Sequence, residues 1–386
     1  MKQKISSDFK LGILGGGQLG KMMIQAASKW DIEIHVLDPD ENCSCSALCH
    51  KFHHGSFKNY NDVLEFGRNV DLLTFEIEHI NIEALKVLEK DGIKTYPQPE
   101  ALEIIQDKGL QKQFYEKHNI PTSNFHLFKN KKEVINAIQN NIIHYPFIQK
   151  SRKDGYDGKG VIFIKDDHSL DSLFDVPSMV EEFIEIEKEI AVIVSRNVNG
   201  QTDTFPTVEM EFSSEANLVE QLICPSEIPT DLDQKSKELA ISIIENLNMV
   251  GNLAVEFFIS KNGQLLVNEV APRPHNSGHQ TIEANITSQF EQHLRAILNY
   301  PLGSTKLLSP SVMLNILGEA NYTGKVFYKN FESCLSKEGV YMHIYGKKIT
   351  KPFRKMGHVT IVDETMEKAK EKAKFVKEKL KVISND

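Results

Sequence analysis

The chain reads as a mixed α/β and α+β protein, with a parallel, doubly wound sheet first, then antiparallel-rich structure and a small β-rich end. Three observations predict this. Short apolar runs alternate with helix patterns through the first hundred residues, as in parallel sheets crossed by helices. Past a Pro-rich break, hairpin-like strands and Gly-containing turns replace that rhythm. A length of 386 residues corresponds to two or three domains at ~100–200 residues each.

Residues 11–14, 34–37, 70–75 and 93–96 carry strand signals, and residues 19–30 and 82–88 carry helix signals. Tyr96-Pro97-Gln98-Pro99 breaks the pattern and marks a first boundary. A helix is expected over 100–118, ended by Pro121, and an exposed helix over 232–247. Tyr300-Pro301-Leu302-Gly303 marks a second boundary, so units 1–100, 101–300 and 301–386 are expected. The last unit closes on a Lys/Glu-rich helix over 365–380, whose i,i+4 charges suit a solvated face.

Composition narrows the function. Hydrophobic residues make up 40% and charged residues 25%, which excludes fibrous and largely disordered classes. Lys and Arg total 45 against 53 Asp and Glu, a net charge of −8, so no nucleic-acid partner is expected, although local basic pockets could hold small phosphates. No run approaches the ~18–20 apolar residues of a membrane span, and residues 1–8 have no apolar signal core. Five cysteines without an export signal argue against a disulfide framework. The expected compartment is the cytoplasm, with no membrane association.

Four features could carry chemistry. Gly15-Gly16-Gly17-Gln18-Leu19-Gly20 lies between a strand and a helix and fits G-x-G-x-x-G, a turn that lets a helix N-terminus approach phosphate. Asp38, 18 residues past Gly20, stands where a ribose-binding acid would sit, so a nicotinamide dinucleotide is one reading. Lys150-Ser151-Arg152-Lys153-Asp154-Gly155-Tyr156-Asp157-Gly158-Lys159-Gly160-Val161 interleaves glycines with basic groups able to wrap a polyphosphate. Runs 252–260 and 264–270 flank Asn262-Gly263, a two-residue hairpin signal whose register sets Glu256 opposite Glu269. Nothing nearby in sequence offsets two facing carboxylates, which suggests a divalent cation between them, with Asn268 as a further oxygen. Two polar, basic stretches, residues 271–279 and 351–358, suit a monophosphate. Cys43, Cys45 and Cys49 with His50, His53 and His54 supply zinc-type ligands in a spacing that matches no zinc motif.

These segments together resemble those of ATP-grasp ligases, most closely the 5-(carboxyamino)imidazole ribonucleotide synthase family of de novo purine synthesis. The resemblance runs from about residue 11 to 358. It rests on the Gly15–Gly20 turn, Thr74-Phe75-Glu76-Ile77-Glu78, Gln106-Asp107-Lys108, the Gly155–Gly160 loop, Asn268-Glu269-Val270-Ala271-Pro272-Arg273-Pro274-His275-Asn276-Ser277-Gly278-His279, and Arg354-Lys355-Met356-Gly357-His358. It implies an ATP-grasp domain between a Rossmann-like pre-ATP-grasp domain and a small C-terminal domain. It also implies ATP-dependent carboxylation of aminoimidazole ribonucleotide by bicarbonate through carboxyphosphate. Lys108 and Lys150 would meet nucleotide phosphates beneath a lid of Gly155, Tyr156, Asp157, Gly158, Lys159, Gly160 and Val161. Glu181, Glu182, Phe183 and Ile184 would hold the adenine and Glu189 the ribose. Glu256, Glu269 and Asn268 would hold Mg²⁺, or Mn²⁺. Gly17, Gln18, Leu19, Glu76, Asn276 and Ser277 would face the ribonucleotide, with Lys347, Arg354 and Lys355 for its phosphate and Arg273 for the bicarbonate-derived intermediate. A homodimer is the expected assembly. One departure stands out: many relatives carry Glu-Asn with a His shortly after, where this chain has Glu209-Met210-Glu211-Phe212, so that nucleotide contact is absent or replaced.

Overall fold

The computed structural model describes residues 3–153, 155, 160–212 and 218–385. Its N-terminal sheet has five parallel strands, ordered Lys51–His54, Ile32–Asp38, Ser6–Leu14, Leu72–Phe75, Lys94–Thr95. Side chains on the central strand alternate between two cores, because successive residues of a strand point to opposite faces. Leu11 and Ile13 join Met23, Ile34 and Val36 on one face, while Leu14 joins Leu37, Phe66, Leu73 and Leu85 on the other. Helix Gln289–Ile297 comes from far along the chain to close the first face with Phe290 and Leu294.

Several expectations shift. The four-residue edge strand Lys51–His54 and helix Tyr60–Gly67 carry too short or too polar a pattern to stand out in the sequence; the helix is set by Asn59, whose side chain accepts from the Asn61 and Asp62 amides. The helix expected over 100–118 is two helices, Pro99–Gln106 and Lys108–Lys117. Asp107 is extended between them, and its carboxylate accepts from the Gly109 and Leu110 amides. An Asp that caps the second helix cannot also continue the first. Arg152 holds Asp107 there with two hydrogen bonds of 2.8 Å.

Two larger sheets lie beyond this point, besides a three-stranded one of Ile349–Thr350, Gly324–Lys329 and Lys381–Ser384. One has four antiparallel strands, ordered Phe125–Phe128, Ser178–Glu182, Phe147–Ser151, Val161–Ile164. The other has nine, running from Leu265–Ala271 through Gly251–Ser260, Ile186–Arg196, Val208–Phe212 and Val219–Cys224 to Ser311–Leu317, Lys355–Val362 and Val340–Ile344, with Thr202–Thr204 at the side. This sheet crosses the boundary expected near residue 300 unbroken, pairing Gln221 with Leu314. Both helices expected to be solvated bury one stripe: Ala240, Ile243 and Ile244 in Thr230–Asn246, and Ala369, Ala373 and Val376 in Met366–Lys379. Among the described residues no helix is long and apolar enough to cross a membrane.

Candidate active site

The hairpin that carries the paired carboxylates differs from the expected one near its tip. Ser260 and Gln264 close a three-residue loop, with Gly263 at φ +79°, a backbone region that favours glycine. Pairing below it runs Ile259–Leu265, Phe258–Leu266, Phe257–Val267, one residue off the expected register. A bulge then takes in Asn268 and restores Glu256 opposite Glu269. Without it Glu256 would face Asn268, and Glu269 would turn to the other side of the sheet.

Charge near these carboxylates is partly compensated, contrary to the sequence expectation. Lys108 is ion-paired with Glu269; His275 Nε2 lies 3.6 Å from Glu256 Oε1, but burial and the nearby Arg273 and Lys355 push its imidazole down to about 3, so it adds no charge. Lys108 and its i+4 neighbour Lys112 share a face of helix Lys108–Lys117 and both point toward the two sheets. Burial and the nearby Glu269 and Glu189 carboxylates raise the Glu256 pKa. Glu269 is held down, first by Lys108. Burial is the largest effect on Lys108 and would lower it, but Glu269, Glu181 and Glu256 together raise the ammonium. Glu189, on the strand beside Glu256, is pushed by burial up to about 7.

Glu181, expected at the adenine, has its carboxylate engaged by protein groups. Its carboxylate is buried between Lys112 and Lys150, each 2.6 Å away, and accepts from Ser123 Oγ at 2.5 Å. Burial would raise it, yet the two ammoniums hold it well below the carboxylate range. Lys150 in turn donates to Asn268 Oδ1 at 3.2 Å, linking the two sheets. Lys112, with 2% of its side chain exposed, was not a sequence candidate; its spacing from Lys108 was the available signal. Glu182 accepts from Asn124, and Phe183 packs on Phe163 with ring centroids 5.1 Å apart, both on the link between the sheets with Ile184.

At the other end, Glu76 accepts from the amides of Gly17 (2.7 Å), Leu19 (3.0 Å) and Gly20 (3.1 Å). The helix N-terminus that a dinucleotide phosphate would need is thus filled by the protein's own carboxylate. Gly17 is required by that approach, since a Cβ there would lie 2.5 Å from Glu76 Oε1. Asp38 turns inward to the Gly16 amide, 2.7 Å away, and is not presented to a ribose. Cys45 donates to Gly17 O and Cys49 to Ser46 O, while His50 accepts from the Ile34 amide. No three His, Cys, Asp or Glu side chains converge as a metal-binding group among the described residues.

One cleft of about 660 Å³ joins the two ends. Lys108, Gly155, Glu256 and Glu269 line it on the hairpin side and Gln18, Leu19 and Glu76 on the side of the Gly15–Gly20 turn, with Asn276, Ser277 and Lys355 also on its wall. Arg273 stands between, ion-paired to Glu78 at 2.6 Å. Lys347 and Arg354 are not on its wall: they donate to the carbonyls of Lys355 (2.7 Å) and Ile349 (2.6 Å). Met210 and Phe212, at the departure from the family pattern, are on the wall. Val161 opens strand Val161–Ile164 beside Gly160, while Tyr156, Asp157, Gly158 and Lys159 lie outside the described residues.

Three family profiles cover this architecture in order: a ribonucleotide synthetase preATP-grasp domain over residues 9–106, an ATP-grasp domain over 113–290, and a phosphoribosylaminoimidazole carboxylase C-terminal domain over 311–372. The chain is 36% identical to N5-carboxyaminoimidazole ribonucleotide synthase of Staphylococcus epidermidis, covering 94% of each. Against the crystal structure of N5-carboxyaminoimidazole ribonucleotide synthetase from Thermotoga maritima it has 43% identity and a TM-score of 0.90, covering 98% of this chain and all of that one. The Aspergillus clavatus N5-carboxyaminoimidazole synthase in complex with ADP and 5-aminoimidazole ribonucleotide is similar at 31% identity, with a TM-score of 0.87 over 97% and 99% of the two chains. The chain spans 64% of the length of a longer plant relative, the phosphoribosylaminoimidazole carboxylase of Vigna aconitifolia, at 38% identity. A shared order of three domains, near-complete coverage and the two-ended cleft agree: this chain belongs to the N5-carboxyaminoimidazole ribonucleotide synthase family of ATP-grasp enzymes.

Proposed function

We propose that the protein is an ATP-dependent ligase that carboxylates 5-aminoimidazole ribonucleotide with bicarbonate, yielding the 5-carboxyamino product, ADP and phosphate. The observation that carries this reading is the single cleft lined by Lys108, Glu256 and Glu269 together with Gln18, Glu76, Asn276 and Ser277.

Bicarbonate is a poor electrophile. Passing the γ-phosphoryl group to one of its oxygens gives carboxyphosphate and releases ADP. The exocyclic amine then attacks the carboxyl carbon, phosphate leaves with its bonding pair, and the amine loses a proton. Such transfers need positioning and charge neutralisation more than a protein nucleophile. Lys108 and Lys150 would receive the phosphates, and Arg273, held by Glu78, would steady the anionic intermediate between the two ends. Glu76, fixed by three amides, would orient the acceptor, and Lys355 would meet its phosphate. The Gly155–Val161 segment would cover the site and keep water from the intermediate.

The oxygen-only set Glu256, Glu269 and Asn268 fits a hard divalent cation, because Glu256 and Glu269 face each other across the hairpin and Lys108 is ion-paired to Glu269 alone of the two. Mg²⁺ there would neutralise charge on the nucleotide phosphates. Cytoplasmic residence and a homodimer belong to the same family reading. The test is ADP release with each substrate omitted in turn: turnover should require Mg²⁺, bicarbonate and the aminoimidazole ribonucleotide. Equal turnover without the ribonucleotide would exclude it as acceptor.

A further inference from the structure

Two stretches singled out in the sequence, 275–279 and 354–358, end in histidines that meet in the fold. The rings of His279 and His358 stack with centroids 4.5 Å apart. His343, paired with His358 across the neighbouring strand, stacks on the opposite face at 4.3 Å and an interplanar angle of 8°. Three imidazoles therefore form a column with His358 in the middle. Each ring is held by a neighbour: His343 Nε2 lies 2.8 Å from Glu283 Oε1, Gln289 reaches His279 Nδ1 at 3.3 Å, and Tyr345 Oη lies 3.0 Å from His358 Nδ1. His279 and His358 are buried, and burial holds both imidazoles far below their usual pKa, so they stack as neutral rings.

The column joins two pieces of the cleft that come from separate parts of the chain. Strand Lys355–Val362 carries Lys355 into the cleft and His358 into the column. The turn Asn276–Gly278 carries Asn276 and Ser277 into the cleft and leads directly into His279. Rigid stacking of neutral rings fixes the spacing between those two pieces, and an ångström of misplacement in a binding site is costly.

We propose that His358 is a positioning residue for the acceptor half of the cleft: clamped between His279 and His343, it sets the distance from Lys355 to Asn276 and Ser277 without touching the acceptor. The inference rests on the acceptor occupying that half of the cleft. The carboxylates of the nucleotide end stand on strands Gly251–Ser260 and Leu265–Ala271, to which none of the three histidines belongs.

The experiment is steady-state ADP release by the full chain, varying ATP and the aminoimidazole ribonucleotide separately, for wild type, His358→Ala, His358→Phe and His358→Gln. Ribonucleotide-dependent turnover of wild type tests the acceptor reading by itself; its absence fails that reading and the inference with it. Given that turnover, His358→Ala should raise KM for the ribonucleotide about tenfold or more and leave KM for ATP within about twofold. His358→Phe keeps a ring in the column and should recover most of the ribonucleotide KM, whereas His358→Gln, which can still bond Tyr345, should not. A parallel rise in both KM values, or full recovery by Gln and not Phe, overturns the proposal. Should His358→Ala not fold, His343→Ala removes the outer ring from a side chain already 20% exposed, and an unchanged ribonucleotide KM there overturns the proposal equally.

Discussion

At the scale of single residues, the site sets Glu256 and Glu269 face to face, with Lys108 ion-paired to Glu269. Glu269 reaches the cleft with 42% of its side chain exposed, so Glu269→Gln should keep the fold, with Tm within a few degrees of wild type, while kcat falls at least about a hundredfold. Unchanged turnover would remove Glu269 from the metal set. Glu189 and Glu256 have raised pKa values, Glu189 from 4.5 to about 7. The folded state therefore holds extra protons between those values, and on this account the free protein loses stability as pH rises through about 7. A bound cation requires ionised carboxylates, so Mg²⁺–ADP binding near pH 6.5 should release protons. Calorimetry in buffers of different ionisation enthalpy measures this, and zero net release contradicts it. Gly17→Ala would force Glu76 off amides it now accepts from at 2.7–3.1 Å. Each such bond contributes about 1.5 kcal/mol, or roughly tenfold in affinity, so KM for the ribonucleotide should rise while KM for ATP stays.

At the scale of elements, local rules explain some features and mislead on others. Asn262-Gly263 signals a hairpin, and a hairpin forms, but a three-residue loop replaces the two-residue turn. The expected facing of Glu256 and Glu269 arises only because the bulge at Asn268 cancels that slip. A bulge has no side-chain period to announce it. Asp107 shows the opposite case, a cap visible in sequence but masked by continuous helical periodicity on either side. Asp107→Ala should cost about 1 kcal/mol through the lost cap, read by denaturant unfolding, and also free Arg152 on the wall of the cleft. Asp107→Asn keeps the cap while weakening the Arg152 pair, so it should retain most of the stability yet bind ADP more weakly. Equal ADP affinity in the two variants and wild type would separate this pair from nucleotide binding.

At the scale of the whole molecule, the nine-stranded sheet ties the C-terminal strands to the central ones through Val219–Cys224 and Ser311–Leu317. A fragment of residues 1–300 would leave the Val219–Cys224 edge unpaired, a template for association. It should elute as aggregate in gel filtration and lose ribonucleotide-dependent turnover together with Lys355; a monodisperse, active fragment would contradict this. Helix Gln289–Ile297 makes the same point at the other end, since it completes a core begun by residues near the N-terminus.

The sequence by itself determined the class of fold, the succession of units and most of the chemistry-bearing residue types, because apolar period, turn residues and motif order are local properties of the chain. Only the tertiary structure decided what those groups face. Glu181 is consumed by Lys112 and Lys150, Glu76 by the Gly17–Gly20 amides, and Lys347 and Arg354 by backbone carbonyls. His279, His343 and His358 meet from distant positions. Such pairings depend on which strands become neighbours and on a single inserted residue in one of them, and neither leaves a periodic trace in the order of amino acids.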